Sequence, residues 1–169
     1  MRRIHFNGGR LDRLQRLVLV LAIAVLAGGG AAGYAWHDHE KAKERDSAAR
    51  TCMNAATPAA QAIFSYDYRT FDASVAKART FITGSFVGEY AKTTTALKPT
   101  AVQVQAIVQA QVSAVGVVAV TDGSVEVLVY LNQYRRNANI TGEKVDQDRV
   151  VLTMSPGDHS CRVENAAAI

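Results

Sequence analysis

The pattern of apolar and polar residues divides the chain into an apolar run, a charged segment and a long C-terminal region. Residues 17–36 contain no charged side chain. At about 1.5 Å per residue, twenty helical residues cross the roughly 30 Å hydrocarbon core of a bilayer, so we predict a transmembrane helix over this run. Tyr34 and Trp36 stand at its outer end, where aromatic residues favour the membrane interface.

A cleavable signal peptide is the alternative interpretation of the apolar run. Small residues flank Tyr34 in Gly33-Tyr34-Ala35, which is the pattern that a signal peptidase reads. The apolar run and the basic region before it are both longer than is typical of signal peptides, so we favour a retained anchor. Gly29 and Gly33 have the small-xxx-small spacing that lets membrane helices pack closely, although an Ala/Gly-rich segment also produces it by chance.

Helical periodicity continues beyond the apolar run. Residues 37–50 mix acidic and basic side chains at helical spacing, which predicts a solvated stalk helix. Apolar residues then recur every three to four positions. We expect Pro58 to begin a helix, Asp72 to cap the next, Gly84 to end it, and Pro99 to close a third.

After Pro99 the period changes to two. Valine and alanine alternate with glutamine from Val104 to Ala114, which predicts a strand, with a bulge at Gly116 and a hairpin turn at Asp122-Gly123. Further strands are predicted near residues 125–131, 150–154 and 161–163. Helices followed by strands indicate an α+β fold, with helices packed on one face of a curved antiparallel sheet of about four strands.

The charge distribution supports one domain outside the cytoplasm. The chain carries a net charge of +4, and residues 1–16 supply all of it. Positive charge at the inner end of the apolar run orients the N-terminus towards the cytoplasm. We therefore predict a cytoplasmic tail (1–16), a transmembrane helix (17–36), a stalk (37–50) and an extracytoplasmic domain (51–169). Because that domain has no excess of positive charge, we expect no nucleic-acid partner.

The two cysteines, Cys52 and Cys161, both follow the predicted anchor. Disulfides persist outside the cytoplasm, so we predict that the two are bonded, with two unpaired thiols as the alternative. The bond would tether the last strand to the first helix of the domain. Neither cysteine has a neighbouring histidine or a Cys-x-x-Cys partner, which argues against a catalytic thiol.

Sequence motifs for catalysis are missing. The sequence has no Gly-rich phosphate loop, Gly-x-Ser-x-Gly motif or cluster of metal-ligand spacing, so we expect no enzyme activity, metal or cofactor. Ser65-Tyr66-Asp67-Tyr68 is the densest polar and aromatic segment. Tyr66, Asp67 and Tyr68 are candidate residues of a pocket or its rim, where a tyrosine and an aspartate can transfer protons. A tyrosine at a helix end more often lies at the edge of the core.

Several segments together resemble a known family. They are the basic tail, the anchor, Ser65-Tyr66-Asp67-Tyr68, the run Phe81-Ile82-Thr83-Gly84-Ser85-Phe86, and Arg149-Val150-Val151-Leu152-Thr153-Met154. This combination is similar to the bacterial Mce-associated membrane proteins. The resemblance implies an NTF2-like cone similar to the periplasmic domain of VirB8. This sequence departs from the family near residues 157–163, because the tryptophan that the family often has in its last strand is missing here.

The resemblance also implies a function. Such proteins are accessory subunits that stabilise Mce lipid-import complexes, so the expected partners are Mce transporter subunits or other membrane proteins, and membrane lipid. Two alternatives share the fold. One is a lipid-binding NTF2-like module, and the other is a VirB8-like scaffold of a secretion system.

Overall fold

The computed structural model describes residues 13–121, 123–157 and 160–169. Side chains at 13–17, 19–20, 22–35 and 38 lie outside that description. The elements, in chain order, are α1 (Arg13–Ile63), β1 (Tyr66–Asp67), a 3-10 helix (Tyr68–Thr70), α2 (Phe71–Arg79), α3 (Phe86–Gln103), β2 (Ile107–Val120), β3 (Val125–Arg136), β4 (Lys144–Pro156) and β5 (Cys161–Ala168).

The predicted transmembrane segment has a helical backbone as part of α1. A search of the described residues found no helix with the length and apolar character needed to cross a membrane. Most of the predicted cytoplasmic tail, and the side-chain surroundings of Gly29 and Gly33, lie outside the described residues. The membrane span and the packing role of the two glycines therefore stay predictions.

The residues from Glu44 onwards form one compact unit with an α+β fold. Its five strands pair in sequence order, each antiparallel to its neighbours, into a curled sheet. The prediction of about four strands was one short, because β1 has two residues and is too brief to show an alternating pattern. The inward faces of β3 and β4 form the centre of the core, and each of these seven side chains is at most 3% exposed: Val125, Val127, Val129, Leu131, Val150, Leu152 and Met154.

The C-terminal turns of α1 pack into this core through small side chains. Cys52, Ala56, Ala59 and Ala60 are fully buried in the same core cluster as the valines of β3 and β4, and short side chains of this kind allow a helix to pack closely on a sheet. The prediction that Pro58 begins a helix was wrong, since it lies inside α1. Its ring is exposed, and burial of the residues on either side keeps the helix continuous across the missing hydrogen bond.

Helix ends also differ from the expectations. Asp72 lies in the first turn of α2, where a carboxylate favours the helix dipole, but Thr70 is the N-cap. Helix α2 ends at Arg79, and Gly84 instead forms a left-handed turn before α3, with φ of +60°. The prediction that Pro99 closes the third helix was wrong, since Pro99 lies inside α3, which continues to Gln103. Ala101, after the proline, is buried in a cluster with Phe71.

Irregularities in β2 occur on either side of Gly116 and not at that residue. The register against β3 shifts between Val112 and Ala114, and again between Val117 and Ala119. The hairpin prediction is confirmed, because β2 and β3 pair directly and the Thr121 N–H donates to the Ser124 carbonyl at 2.8 Å. Asp122 lies outside the described residues.

The predicted disulfide is confirmed. Cys52 in α1 and Cys161 at the start of β5 are bonded, with Cα atoms 5.0 Å apart and a sequence separation of 109. Both are buried. Closing a loop of this length restricts the unfolded chain, which the chain-entropy model values at about 4–5 kcal/mol. The bond fixes the end strand of the sheet to the helix that covers it.

Replacing both cysteines by alanine should lower the free energy of unfolding by about 2–4 kcal/mol, because the unfolded chain regains the freedom of the open loop. Urea denaturation of the full-length protein, followed by far-UV circular dichroism, measures this change. The unmodified protein treated with a reductant is the matched control and should unfold at a similarly lowered urea concentration. Equal stability of the double variant and the oxidised protein would contradict the prediction.

Candidate functional site

A cavity of about 420 Å³ lies inside the cone formed by the helices and the sheet, and we call it the cone cavity. Its lining comes from the end of α1, β1, α2, α3, β3 and β5. The residues are Ile63, Phe64, Tyr66, Phe71, Val75, Phe86, Glu89, Tyr90, Thr93, Thr94, Leu97, Gln133 and Ala166. The volume of the cone cavity and its mostly apolar lining are within the range for small-molecule sites, which carry a few polar groups.

Helix α3 supplies one wall of the cone cavity. Tyr90 is buried, and its hydroxyl donates to the Ile63 carbonyl at 3.3 Å, which joins α3 to the end of α1. Phe86 lies one turn earlier and its ring is 6.1 Å from that of Tyr90. Thr94 is buried and donates to the Tyr90 carbonyl at 2.8 Å. Burial raises the pKa of Tyr90, so this phenol is neutral at physiological pH.

Of the three predicted pocket residues, Tyr66 lines the cavity. Its ring meets Phe71 edge to face at a centroid distance of 5.4 Å. Burial raises the pKa of Tyr66, while the nearby Arg135 charge acts in the opposite direction. This phenol is therefore also neutral at physiological pH, and it contributes an apolar surface more than a proton donor.

Asp67 binds Arg69 and has a structural role. Its carboxylate accepts the Arg69 backbone N–H at 2.9 Å, which caps the 3-10 helix, and also pairs with the Arg69 guanidinium. These hydrogen bonds lower the pKa of Asp67 from 3.8 to about 2. A carboxylate that is ionised at every physiological pH and already paired is a poor general acid or base.

The rest of the Ser65-Tyr66-Asp67-Tyr68 segment is divided between separate contacts. Ser65 accepts the Ala110 N–H through its hydroxyl at 2.9 Å, which ties the end of α1 to β2. The Arg69 guanidinium lies 5.8 Å from the centre of the Tyr68 ring. Tyr68 does not line the cone cavity. The sequence motif is thus mainly a junction between helix and sheet.

A second depression, of about 680 Å³, lies on the outer side of Tyr66 and is more open. Its walls are α1, β1, α2 and the first residues of β2, including Pro58, Gln61, Asp67, Lys77 and Gln109. The polar residues at its surface distinguish it from the cone cavity. Among the described residues, no group of three or more histidine, cysteine, aspartate or glutamate side chains is placed to hold a metal ion.

Sequence reasoning missed Thr94 and Phe71 as cavity residues. Phe71 opens α2 directly after the polar segment, where its burial has no periodic signal before it. Thr94 is a polar residue that becomes compatible with burial by donating back to the helix carbonyl four residues earlier. Phe86, Tyr90 and Leu97 recur at helical spacing along α3 and also line the cavity.

Comparison with known proteins identifies the fold. No family model matches the sequence, and a search of curated proteins found no significant relative. Among solved structures, CagV of Helicobacter pylori, a VirB8 homolog of a type IV secretion system, is similar with a TM-score of 0.58 and 10% identity. The likeness covers 70% of this chain and 96% of CagV.

Two further structures give the same result. An IcmL-like type IV secretion system protein of Legionella pneumophila has a TM-score of 0.56 and 14% identity, over 69% of this chain and 88% of its own. The periplasmic domain of DotI has a TM-score of 0.54 and 15% identity, over 69% and 91%. These likenesses confirm the VirB8-like part of the expected fold, while the Mce-associated family is not confirmed. The domain has a VirB8-like fold.

Proposed function

We propose that this protein is a non-enzymatic scaffold subunit of the VirB8 type, which holds together a multi-protein complex at a bacterial cell envelope. Its domain would stand outside the cytoplasm on the predicted anchor. The observation that carries this proposal is the likeness of 70% of this chain to nearly the whole of the VirB8 homolog CagV. The similar DotI structure is a periplasmic domain, which supports the same placement.

The chemistry of the cone cavity supports a role in binding over one in catalysis. Its two phenols are neutral, and the Tyr90 hydroxyl is already bonded to the Ile63 carbonyl. Glu89 lines the cavity and is exposed to solvent, whereas Asp67 lies outside the cavity and is paired with Arg69. A general acid or base needs a pKa near the working pH and a free approach to substrate. Neither the phenols nor the Asp67 carboxylate meets both requirements.

Two kinds of complex are compatible with such a scaffold. The solved structures favour a secretion machine, because two of the three are named as type IV secretion components. The residue resemblance favours an Mce lipid-import complex, which would make the chain an accessory subunit of a transporter. The fold is the same in both, so identification of the physical partners distinguishes them.

Affinity purification of the tagged full-length protein from membranes in mild detergent should recover a fixed set of envelope proteins, identified by mass spectrometry. Secretion components would assign the first machine and Mce subunits the second. A chain that ends after Arg50, and so keeps the predicted anchor without the domain, is the matched control and should lose those partners. Recovery of the full-length protein alone, after chemical crosslinking in cells, would contradict a scaffold function.

A second candidate function is the binding of an apolar ligand, and the unfilled cone cavity favours it. The cavity has about 420 Å³ of space and walls formed by Phe64, Phe71, Phe86 and Leu97. Apart from the exposed Glu89, the lining consists of apolar and uncharged polar side chains, which suit a lipid tail better than a charged metabolite. A scaffold that holds lipid would serve a lipid-import complex directly.

Thr93→Trp should reduce the amount of lipid that copurifies with the full-length protein at least about threefold. The indole would fill part of the cone cavity and so exclude a lipid tail from it. Thr93 lines the cavity but is exposed, so the fold should tolerate the change. Thr95→Trp is the matched control, because Thr95 is exposed on the same helix and does not line the cavity. Quantitative lipid mass spectrometry gives the readout. Equal lipid in both variants would argue against occupation of the cavity.

A further inference from the structure

The outer edge of β2 is unpaired over most of its length. Strand β2 runs from Ile107 to Val120, but β1 pairs only with Ile107 and Val108. Ser65 then takes the Ala110 N–H. Beyond that point no described strand or loop bonds to this side of β2. Unpaired strand edges are templates for pairing with another strand.

The register identifies which backbone groups face outwards along this edge. The Ala110 N–H points to Ser65, away from β3, and alternate residues of a strand point the same way. Ser113 and Val118 are the extra residues at the two register shifts, and each reverses the alternation. The outward residues beyond Ala110 are therefore Val112, Val115, Val117 and Val120.

These four positions are symmetric about Gly116. Val115 and Val117 lie one residue to either side, and Val112 and Val120 lie four residues to either side. When the same edge from a second copy approaches in the antiparallel direction with Gly116 opposite Gly116, Val115 meets Val117 and Val112 meets Val120. Each such pair has its N–H and C=O groups directed at the other strand.

Charge does not oppose this pairing. Strand β2 contains no charged residue, whereas lysine and other charges commonly protect exposed edges. At the opposite edge of the sheet, β5 carries Arg162 and Glu164, and Val163 is covered by backbone bonds with Phe81 and Thr83. Valines 117 and 118 are 38% and 58% exposed at the β2 edge. The β5 edge is thus charged and partly covered, whereas the β2 edge is uncharged, exposed and self-complementary.

We propose that two copies of this chain pair through their β2 strands, antiparallel and centred on Gly116, to form one continuous sheet of two domains. The bulges at Ser113 and Val118 lie outside the central run Ala114–Val117, which keeps a regular register against β3. The proposal concerns the edge of the sheet alone and does not depend on which complex the protein serves.

Oxidative crosslinking of the full-length protein in membranes tests this geometry. Residues 116 of the two copies would form a non-hydrogen-bonded pair with Cα atoms about 4.5 Å apart, within the range for a disulfide. Gly116→Cys should therefore give a reducible dimer on a non-reducing gel. An added Cβ at Gly116 meets no atom within 4 Å. Both native cysteines are already bonded to each other, so the new thiol is the only free one.

Ser113→Cys is the matched control for the crosslink. Ser113 is exposed on the same strand, but two copies of it would lie about 20 Å apart, six residues out of register. A dimer with Gly116→Cys and none with Ser113→Cys supports the proposal. Equal crosslinking of both, or of neither, overturns it.

A proline at Val117 provides a second measurement that needs no crosslink. Its N–H faces outwards and has no backbone partner among the residues that the structure describes, so Val117→Pro should leave circular dichroism and thermal unfolding nearly unchanged. It should raise the dimer dissociation constant at least about tenfold in sedimentation of the full-length protein, since it removes hydrogen bonds at both ends of the pairing. An unchanged dissociation constant in a folded variant overturns the proposal. If the variant fails to fold, the cysteine pair decides.

Discussion

The packing of an alanine face of α1 onto the valine-rich face of β3 and β4 is the contact on which the rest of the domain depends. Ala56, Ala59 and Ala60 have no exposed surface, and neither do Val125, Val127 and Val129. Alanine is the residue that allows the closest approach of a helix to a sheet without loss of helix propensity. A larger side chain there would lift the helix and open the core beneath it.

Two features follow from this contact. Because α1 is held close to the sheet, Cys52 comes within bonding distance of Cys161, and the disulfide then fixes β5 against the same helix. Because α1 ends at Ile63, the chain turns there through Ser65 and Asp67 into the sheet, and the cone cavity remains between this turn and α3. The polar and aromatic segment, which the sequence offered as a candidate pocket or rim, thus forms the junction between helix and sheet.

Sequence patterns predicted the sheet better than the helix ends. Alternating valines located the buried parts of β3 and β4, since a strand buried on one face needs that alternation, but both strands extend beyond the predicted ranges. The helix boundaries predicted at Pro58 and Pro99 were wrong. Each proline lies within a helix, where buried residues on both sides offset the lost hydrogen bond. The pairing of Cys52 with Cys161 was predictable from compartment and number. The cone cavity was not, because its walls come from six elements whose distances only the folded chain sets.

The unpaired edge of β2 also could not be deduced from the alternating pattern. That pattern predicts which side chains face the core, but it does not reveal that β1 is only two residues long. The edge and the cone cavity lie in different parts of the domain, as β2 lines the open depression outside Tyr66 and not the cavity. The proposed pairing edge and the cone cavity are therefore separate surfaces of one domain.

The most direct test of this account is the stability of Ala59→Leu, measured by urea denaturation of the full-length protein. Overpacking at a fully buried alanine should lower the free energy of unfolding by about 1–3 kcal/mol. Gln61→Leu, at an exposed position two residues along the same helix, should change it by less than about 0.5 kcal/mol. Equal, small effects of the two substitutions would contradict the close packing of α1 on the sheet.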